Sequence, residues 1–349
     1  MLKLDDLDRG LIHALHLDGR VPFSRVAEAL DSSEQTVARR YQRLRAQAGL
    51  RVVGLPVPER AGAGQWMVRL ATAPAATRGL AEALARRPDT SWVKLISGGT
   101  EVTAILTTPY QDEPVPSLLL HDIPRKAGIT AVSAYCFLHT YLGGPATWPG
   151  RLAGLDERQQ QLLRPPAPEP EPERAPEPAR VRELTSADRS VLDALRADGR
   201  ASYAELATAT GFSQATVARR LAELRAIGAV FFDVDVPPAL YGVAMQALLW
   251  LSVAPSQLDE VARAMAGHAE LAAVMSTTGP VNLVAQALCE SPADLHRYLT
   301  RRLGAVPGIH TLETTPVLQT IKTGASTTAR YDQDRHDQQL VRTNGARFR

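Results

Sequence analysis

The chain has 349 residues, of which 45% are hydrophobic and 22% charged, and its formal net charge is +2. This composition excludes a fibrous or wholly disordered protein, and the length exceeds the ~150 residues of an ordinary domain, so we expect at least two domains. Cys136 and Cys289 stand far apart, without the spacing of a zinc site or a disulfide framework. No metal and no cofactor are therefore predicted.

The chain carries no pattern for export or for a membrane. Its first residues lack the cationic and then apolar order of a secretory signal. Its most apolar stretch, residues 243–254, is shorter than the ~20 residues that a membrane helix needs. A cytoplasmic location and no membrane partner are expected.

One short sequence occurs twice. Residues 36–40 read Thr-Val-Ala-Arg-Arg, and the same letters return at residues 216–220. Neighbouring identities keep the same spacing without a gap, among them Asp18-Gly19-Arg20 and Asp198-Gly199-Arg200. Self-similarity at a fixed period indicates that the chain contains its main unit twice.

Each copy begins with a helical segment. Leu11 and Leu15 share one face of the first helix, and Gly19 after it suits a left-handed helix cap. In the second copy, Thr185 and Asp188 have capping-box spacing ahead of an apolar face. A second short helix, a tight break and a third helix follow in each copy. This order predicts a helix-turn-helix, whose last helix enters the major groove of DNA.

The third helix of the first copy has two distinct faces. Ser33 is a natural N-cap for it. Val37, Tyr41 and Leu44 follow at helical spacing and predict a buried stripe. The opposite face presents Gln35, Arg39, Gln42 and Arg43, flanked by Thr36 and Arg40. Glutamine can pair with adenine and arginine with guanine, whereas the flanking arginines suit phosphates, so double-stranded DNA is the predicted partner.

The same positions are less polar in the second copy. Ala215 and Ala222 replace the two glutamines, and Glu223 replaces Arg43. We expect this copy to bind DNA more weakly or to read a different half-site. The predicted DNA contacts are Ser33, Gln35, Thr36, Arg39, Arg40, Gln42, Arg43, Ser213, Gln214, Thr216, Arg219 and Arg220.

A region of mixed helices and strands follows each helical segment. Strands are predicted at residues 65–70 and 247–253, each followed by Ala-Pro and an alanine-rich helix. The spacing between these copies is one position longer than that between the helical segments. The predicted hairpins are residues 92–97 with 101–107, and 272–277 with 282–288. A helix over 292–303 and a strand over 308–321 complete the order β-α-β-β-α-β, the ferredoxin-like arrangement.

The helix-turn-helix signature followed by βαββαβ resembles the leucine-responsive/asparagine-regulator (Lrp/AsnC) family of bacterial transcription factors. The resemblance rests on Leu4, Asp8, Arg9, Asp18-Gly19-Arg20, Ser33, Thr36, Val37 and Arg40, and on their counterparts in the second copy. It implies that the βαββαβ unit, called the RAM domain in that family, dimerises and gives a homo-oligomer. In a tandem chain, the two units would then form an intramolecular pseudo-dimer.

The resemblance also implies a site for an amino acid or related small molecule, at the turn that joins the second and third strands of each unit. The residues at these turns are Gly98, Gly99, Glu101, Gly279 and Asn282. Asn282 lacks the acidic charge that Glu101 keeps. A plain hairpin turn without ligand contact remains the alternative for the glycines.

The predicted fold class is α+β, with two winged-helix-like helix-turn-helix domains, each followed by a ferredoxin-like RAM domain. The expected boundaries are 1–55 and 184–236 for the helical domains, 61–144 and 241–324 for the RAM domains, 145–183 for a Pro/Glu-rich linker, and 325–349 for a disordered tail.

The predicted function is a sequence-specific transcriptional regulator, responsive to an amino acid or small metabolite, and not an enzyme. One alternative is an enzyme of the same architecture, a siroheme decarboxylase, although the histidines are scattered without a shared face. The other is a ligand-binding scaffold whose helical domains no longer bind DNA, although the clustered arginines of the third helix favour a phosphate partner.

Overall fold

The first helical domain consists of three short helices. The computed structural model describes residues 2–109, 128–144, 154–164 and 184–325. The helices are α1 (Asp6–Leu17), α2 (Phe23–Ala29) and α3 (Glu34–Ala48). Ser33 caps α3 as predicted, because its side chain accepts a hydrogen bond from the Thr36 amide. Gly49 ends α3 in the left-handed conformation.

The first αβ unit follows a strand, β1 (Arg51–Pro56). The unit has the order β2 (Ala63–Thr72), α4 (Pro74–Ala85), β3 (Thr90–Ile96), β4 (Glu101–Pro109) and β5 (Ile129–Leu142). Leu80 and Leu84 of α4 share a buried core with Val93 and Leu95 of β3. The second helix of this unit would fall within residues 110–127, which lie outside the described residues.

A further helix lies inside the predicted linker. Helix α5 (Glu157–Leu163) begins with a capping box between Asp156 and Gln159 and packs on the first helical domain. Leu155 and Leu163 are buried in the core of that domain, and the Gln159 amide donates to the Ala29 carbonyl oxygen. The linker prediction over 145–183 is therefore wrong for this segment. The prediction extended the proline-rich composition of the later residues to a short segment that has its own helix cap and apolar residues. Residues 165–183, with the Pro/Glu repeat, and the tail from residue 326 lie outside the described residues.

The second helical domain repeats the first. Its helices are α6 (Ser186–Ala197), α7 (Tyr203–Thr210) and α8 (Gln214–Ala226). The predicted capping box is confirmed, since the side chains of Thr185 and Asp188 each accept a hydrogen bond from the other residue's backbone amide. Strand β6 (Val230–Asp235) follows α8.

Strands β1 and β6 pair with each other and form a wing ribbon between the two copies. The pairing is antiparallel and runs from Arg51 opposite Asp235 to Pro56 opposite Val230. The sequence did not predict this ribbon. A Cβ atom at Gly19 would come within 2.5 Å of the Phe232 Cβ atom in the ribbon. The backbone of Gly19 is not left-handed, so the predicted left-handed cap is wrong, and the glycine is needed for this close approach instead.

The second αβ unit is described along its whole length. It consists of β7 (Met245–Val253), α9 (Leu258–Ala266), β8 (Leu271–Thr277), β9 (Leu283–Cys289), α10 (Pro292–Arg297) and β10 (Ile309–Thr320). A π-helical turn and a 3₁₀ turn continue α10 to residue 305, so the predicted helix over 292–303 is irregular. The β-α-β-β-α-β order and the α+β class are confirmed. No helix in the described ranges is long and apolar enough to cross a membrane.

The strands of the two αβ units close into one barrel, in the order β10-β3-β4-β2-β5-β8-β9-β7. The last strand of each unit changes partner along its length. Residues 129–136 of β5 pair with β2, and its later residues pair with β8 of the other unit. Residues 309–316 of β10 pair with β7, and its later residues pair with β3. The two units therefore form an intramolecular pseudo-dimer, as the duplication predicts.

Candidate nucleic-acid interface

Helix α3 presents three of its predicted DNA contacts to solvent. Gln35, Arg39 and Gln42 are exposed, whereas the residues of the predicted apolar stripe, Val37, Tyr41 and Leu44, are buried. Among the described residues, none forms a hydrogen bond or ion pair with the Arg39 guanidinium. This face of α3 is therefore free to enter a groove.

Arg40 and Arg43 turn towards helix α1 instead. Arg40 Nη1 lies 2.7 Å from Asp5 Oδ2, and Arg43 Nη2 forms an ion pair with Asp8 Oδ2. The side chain of Asp8 is only 1% exposed, so it depends on these cations for its charge compensation. Both arginines thus hold α3 against α1. Contact with DNA, as predicted for them, would have to replace or share these ion pairs.

Helix α8 has the same kind of ion pair to its first helix as α3, but its exposed face has fewer polar side chains. Arg220 Nη1 lies 3.0 Å from Asp188 Oδ1, as Arg40 Nη1 in the first copy lies 3.4 Å from Asp8 Oδ1. Arg219 Nη1 lies 2.8 Å from Glu223 Oε1, one helical turn further on. Gln214 is exposed, and so are Ala215 and Ala222, which stand where the first copy has glutamines. The second recognition face thus offers one amide and one guanidinium that already has a carboxylate partner.

The predicted serine and threonine contacts lie at the helix starts. The hydroxyl oxygens of Ser33 and Thr36 are 2.9 Å apart, and those of Ser213 and Thr216 show the same distance. Each serine also accepts a hydrogen bond from the threonine amide. These side chains shape the first turn, whose remaining amides make the helix N-terminus a favourable place for a DNA phosphate.

Two arginines join the helical domains reciprocally. Arg20 donates to the carbonyl oxygens of Gly199 and Ala201, at 2.6 and 3.0 Å. Arg200 donates to the carbonyl oxygens of the matching residues in the first copy, at 2.7 and 3.0 Å. We call this set of four hydrogen bonds the arginine clasp. Burial lowers the pKa of both guanidiniums, and each one donates two hydrogen bonds that offset part of its loss of water.

Further charges surround the clasp in the same reciprocal pattern. Arg45 Nη2 lies 3.2 Å from Asp198 Oδ2, and Arg225 Nη2 lies 3.6 Å from Asp18 Oδ1. The repeated Asp-Gly-Arg tripeptide thus supplies both the clasp and its flanking carboxylates. From the sequence, this tripeptide indicated only the duplication and the family resemblance. Its identity in two surface turns was the signal for a symmetric contact.

The predicted ligand turn of the first unit is occupied by its own side chains. Glu101 accepts hydrogen bonds from Arg69 Nε at 2.7 Å and from the Ser97 hydroxyl at 2.9 Å. Gly98 and Gly99 have φ angles of +68° and +85°, in the region that favours glycine. The hairpin accounts for these residues, and ligand contact here stays a prediction.

The matching turn of the second unit is closed in a different way. The Asn282 side chain accepts a hydrogen bond from the Val253 amide at 2.9 Å and donates to the Val253 carbonyl oxygen at 2.8 Å. Gly279 has a φ angle of +101°, and a Cβ atom there would lie 3.2 Å from Tyr135 Cδ1. Both polar ends of Asn282 are therefore engaged by the backbone of β7.

Arg69 links the first turn to the other unit. Its two terminal nitrogens lie 3.0 and 2.7 Å from the carboxylate oxygens of Glu313 on β10. The guanidinium also lies over the Trp250 ring, 5.2 Å from its centroid. Hydrogen bonds to Glu313 and Glu101 raise the pKa of Arg69. Glu101 is thereby part of the interface between the two units, which the sequence did not indicate.

Comparison with known proteins gives matches to both kinds of domain. The AsnC-type helix-turn-helix domain matches residues 4–45 and again residues 184–225. The Lrp/AsnC ligand binding domain matches residues 246–327. HTH-type transcriptional regulator FL11 of Pyrococcus horikoshii is 29% identical over 140 residues, which cover 40% of this chain and 92% of the relative. HTH-type transcriptional regulator Ptr1 of Methanocaldococcus jannaschii is 26% identical over 143 residues, which cover 41% and 97%.

A solved structure shares the tandem fold over nearly the full length. The siroheme decarboxylase NirDL superposes with a TM-score of 0.60 and covers 91% of this chain and 93% of its own. The sequence identity of this pair is 11%, so the likeness is one of fold alone.

Proposed function

Because the chain belongs to the Lrp/AsnC family of transcriptional regulators, we propose that it is a sequence-specific DNA-binding regulator that reads DNA with two helical domains of one polypeptide. The observation that carries the proposal is the exposed face of α3, formed by Gln35, Arg39 and Gln42. It lies on the last helix of a helix-turn-helix, the helix that enters the major groove.

The chemistry of this face suits base edges. Glutamine can bind N6 and N7 of adenine, and arginine can bind O6 and N7 of guanine. Arg39 can make such a contact without breaking an ion pair among the described residues, whereas Arg219 has to leave or share Glu223. The first helical domain therefore provides most of the base readout, and the second provides mainly phosphate contacts.

This difference between the domains predicts an imperfectly palindromic operator. A symmetric dimer reads two equal half-sites, but the two recognition faces of this chain differ at three outward positions. Selection of bound sequences from a random DNA pool tests the prediction, and a perfectly symmetric consensus would contradict it. As a matched control, the variant Ala215→Gln with Ala222→Gln and Glu223→Arg copies the first face onto the second and should shift the consensus towards a palindrome.

The proposal includes three finer properties, namely response to an amino acid or related small molecule, assembly of several copies through the αβ units, and a cytoplasmic location. The match to a ligand binding domain supports the first. Leu138 of β5 and Leu318 of β10, which are 60% and 55% exposed, support the second. Sedimentation over a range of concentrations tests assembly, and a monomer at every concentration would contradict it.

The proposal excludes catalysis of the kind carried out by the fold neighbour. A cavity extends from the inside of the barrel to the wing ribbon, and among the described barrel-strand residues that line it, Lys94 is the only charged one. The end at the wing ribbon adds charges of both signs to the lining, among them the carboxylates of Asp233 and Asp235 and the guanidiniums of Arg51, Arg60, Arg196 and Arg225, all of which lie outside the barrel strands. A tetrapyrrole with several carboxylates would need several counter-charges within the barrel. We expect siroheme incubated with the protein to keep all its carboxylates, and decarboxylated product in the mass spectrum would contradict this.

A further inference from the structure

A cavity of about 1270 Å³, called here the barrel cavity, is lined by the strands of the barrel, by the wing ribbon and by parts of the helical domains. Its walls are inner faces of the barrel strands, and one end reaches the wing ribbon of β1 and β6. Sites for small molecules in proteins commonly occupy ~300–1000 Å³. The barrel cavity is therefore large enough to hold a metabolite. Its wing-ribbon end includes Arg225 and Ala226 from the last turn of α8, but neither the outward face of α3 nor the two hairpin turns line it.

A lysine ammonium group lies inside this wall. Lys94 of β3 is 3% exposed, and its Nζ donates to Gln286 Oε1 of the other unit at 2.6 Å. Its ring neighbour is Trp92, whose centroid is 5.3 Å from Nζ. Among the described residues, no carboxylate lies within ion-pair distance of Lys94. An ammonium group has three donors, so this cation retains donors and charge that an anion could satisfy.

Burial of the Lys94 ammonium group does not stabilise the fold. Burial lowers the pKa of its ammonium group to about 7, which means that the fold destabilises the charged form. Natural cores compensate buried charges with partners, and an uncompensated cation in a cavity is typical of a binding site. A hydrogen bond to one amide oxygen does not replace an ion pair.

The pseudo-symmetry of the chain shows that this cation occurs on one side only. The sequence spacing that relates Pro74 to Pro255 also places Met275 at the position equivalent to Lys94. The same spacing places Ile105 at the position equivalent to Gln286. All four of these wall residues line the barrel cavity. One side of the cavity therefore carries a cation and an amide, and its symmetric counterpart carries two apolar side chains.

The apolar side continues across both units. Met67, Leu248 and Met275 belong to one buried cluster, against which Ile105 packs. Methionine adapts its shape to irregular apolar partners. On the polar side, Gln286 Nε2 lies 3.5 Å from Gln246 Oε1, so that the two amides and Lys94 form a row. A single amphipathic molecule, with one negative end and an apolar body, fits this polarity.

We propose that the barrel cavity binds one small organic acid per chain, an aliphatic or aromatic monocarboxylate whose carboxylate pairs with Lys94 and whose body lies against Met67, Leu248 and Met275. The site is distinct from the predicted turns at Gly98 and Gly279. Lys94 and these three apolar residues all lie on barrel strands, so the proposal does not depend on DNA binding.

Isothermal titration calorimetry on the full chain tests the proposal. The probes are 4-phenylbutyrate and octanoate, each compared with its primary amide, which has the same body without the charge. We expect one carboxylate per chain, with the amides binding at least tenfold more weakly. In Lys94→Met, the carboxylate affinity should fall at least tenfold to that of the amide, while the amide affinity stays unchanged.

Lys322→Met is the matched control. Lys322 is also largely buried, but its Nζ donates to the Arg87 carbonyl oxygen at 2.6 Å, and it does not line the barrel cavity. This variant should keep the carboxylate affinity of the parent chain. Lys94→Gln, which keeps a polar side chain, serves as the second test if Lys94→Met fails to fold.

Two outcomes would overturn the proposal. The first is that neither carboxylate binds the parent chain, which would mean that Lys94 is solvated by water and does not form a ligand site. The second is that Lys94→Met or Lys94→Gln binds the carboxylates as tightly as the parent chain. Loss of operator binding, measured separately with DNA, would affect the proposed function and leave this inference untouched.

Discussion

At the scale of single residues, the arginines of helix α3 have different surroundings, with Arg39 facing solvent and Arg40 and Arg43 facing α1. Arg39 is exposed without an internal partner among the described residues, whereas Arg40 and Arg43 compensate Asp5 and Asp8. Replacing Arg39 should therefore change DNA binding alone. Replacing Arg43 should also weaken the fold, because a buried carboxylate would lose a partner.

Arg39→Ala should weaken operator binding by about 1–3 kcal/mol, the worth of one bidentate base contact, and relax specificity at one base pair. Its melting temperature should stay unchanged. Arg219→Ala is the matched control in the second copy, where the Glu223 ion pair already occupies the guanidinium, and it should lose less. Fluorescence anisotropy with operator DNA measures both variants, and equal losses would contradict the division between the two domains.

Lys94 gives a pH-dependent prediction at the same scale. Its pKa is about 7 in the folded chain and 10.5 ordinarily, so the unfolded chain holds this proton between the two values and the folded chain does not. The contribution of Lys94 to the free energy of unfolding therefore falls as the pH falls from 10.5 to 7, and it stays low below that range.

Lys94→Met should accordingly be more stable than the parent chain at pH 7, by on the order of 4 kcal/mol, since a tenfold change in proton affinity is worth about 1.4 kcal/mol. The difference between the two chains should vanish towards pH 11. Urea unfolding at several pH values measures it. A constant difference across this range would show that the ammonium group is not buried in the folded chain.

Helix α5 provides a prediction at the scale of elements. Leu163 is fully buried against the first helical domain, whereas its neighbour Leu162 is 46% exposed. Leu163→Ala should therefore destabilise that domain by about 2–5 kcal/mol, and Leu162→Ala should change its stability by less than about 0.5 kcal/mol. Thermal unfolding measures both variants, and equal effects would mean that α5 does not pack on the domain in solution.

Local patterns predicted most elements, because caps and periodicity are local. Ser33, Thr185 and the apolar stripe through Val37 mark helices through neighbours within one or two turns. Partner choice is not local, so the wing ribbon and the exchange of strand ends could not be predicted. Lys94 illustrates the difference. Side chains alternate between the two faces of strand β3, so Lys94 lies on the face opposite Val93 and Leu95, which pack on α4. Only closure of the barrel removes the Lys94 face from water.

The candidate DNA face shows the same limit. Helical periodicity identified which side of α3 faces outward, but it could not show that Arg40 and Arg43 reach back to α1. Their long side chains cover the distance from the edge of the outward face to Asp8. The positions of charged tips are set by buried partners on another helix, which is distant in the sequence.

The arginine clasp gives a prediction at the scale of the whole molecule. Arg20→Ala combined with Arg200→Ala removes the four hydrogen bonds of the clasp. Because a fixed spacing raises the effective concentration of the second domain at its half-site, binding to a two-half-site operator should weaken by roughly tenfold. Binding to a single half-site should not change.

Arg9→Ala combined with Arg189→Ala is the control for this loss of charge. Both arginines are exposed counterparts in the two copies, and neither side chain forms a hydrogen bond or ion pair among the described residues. Gel-shift titrations with one and two half-sites compare the variants. An equal loss on both kinds of DNA would mean that the clasp acts through charge and not through spacing.

The exchange of strand ends between β5 and β10 has a consequence for how the protein responds to its own abundance. A dimer of separate chains falls apart on dilution, and its occupancy of an operator then rises steeply with expression level. Here the two halves share one covalent chain, so dilution cannot part them. At copy numbers too low for chains to assemble with one another, occupancy of the operator should rise in simple proportion to the number of molecules in the cell.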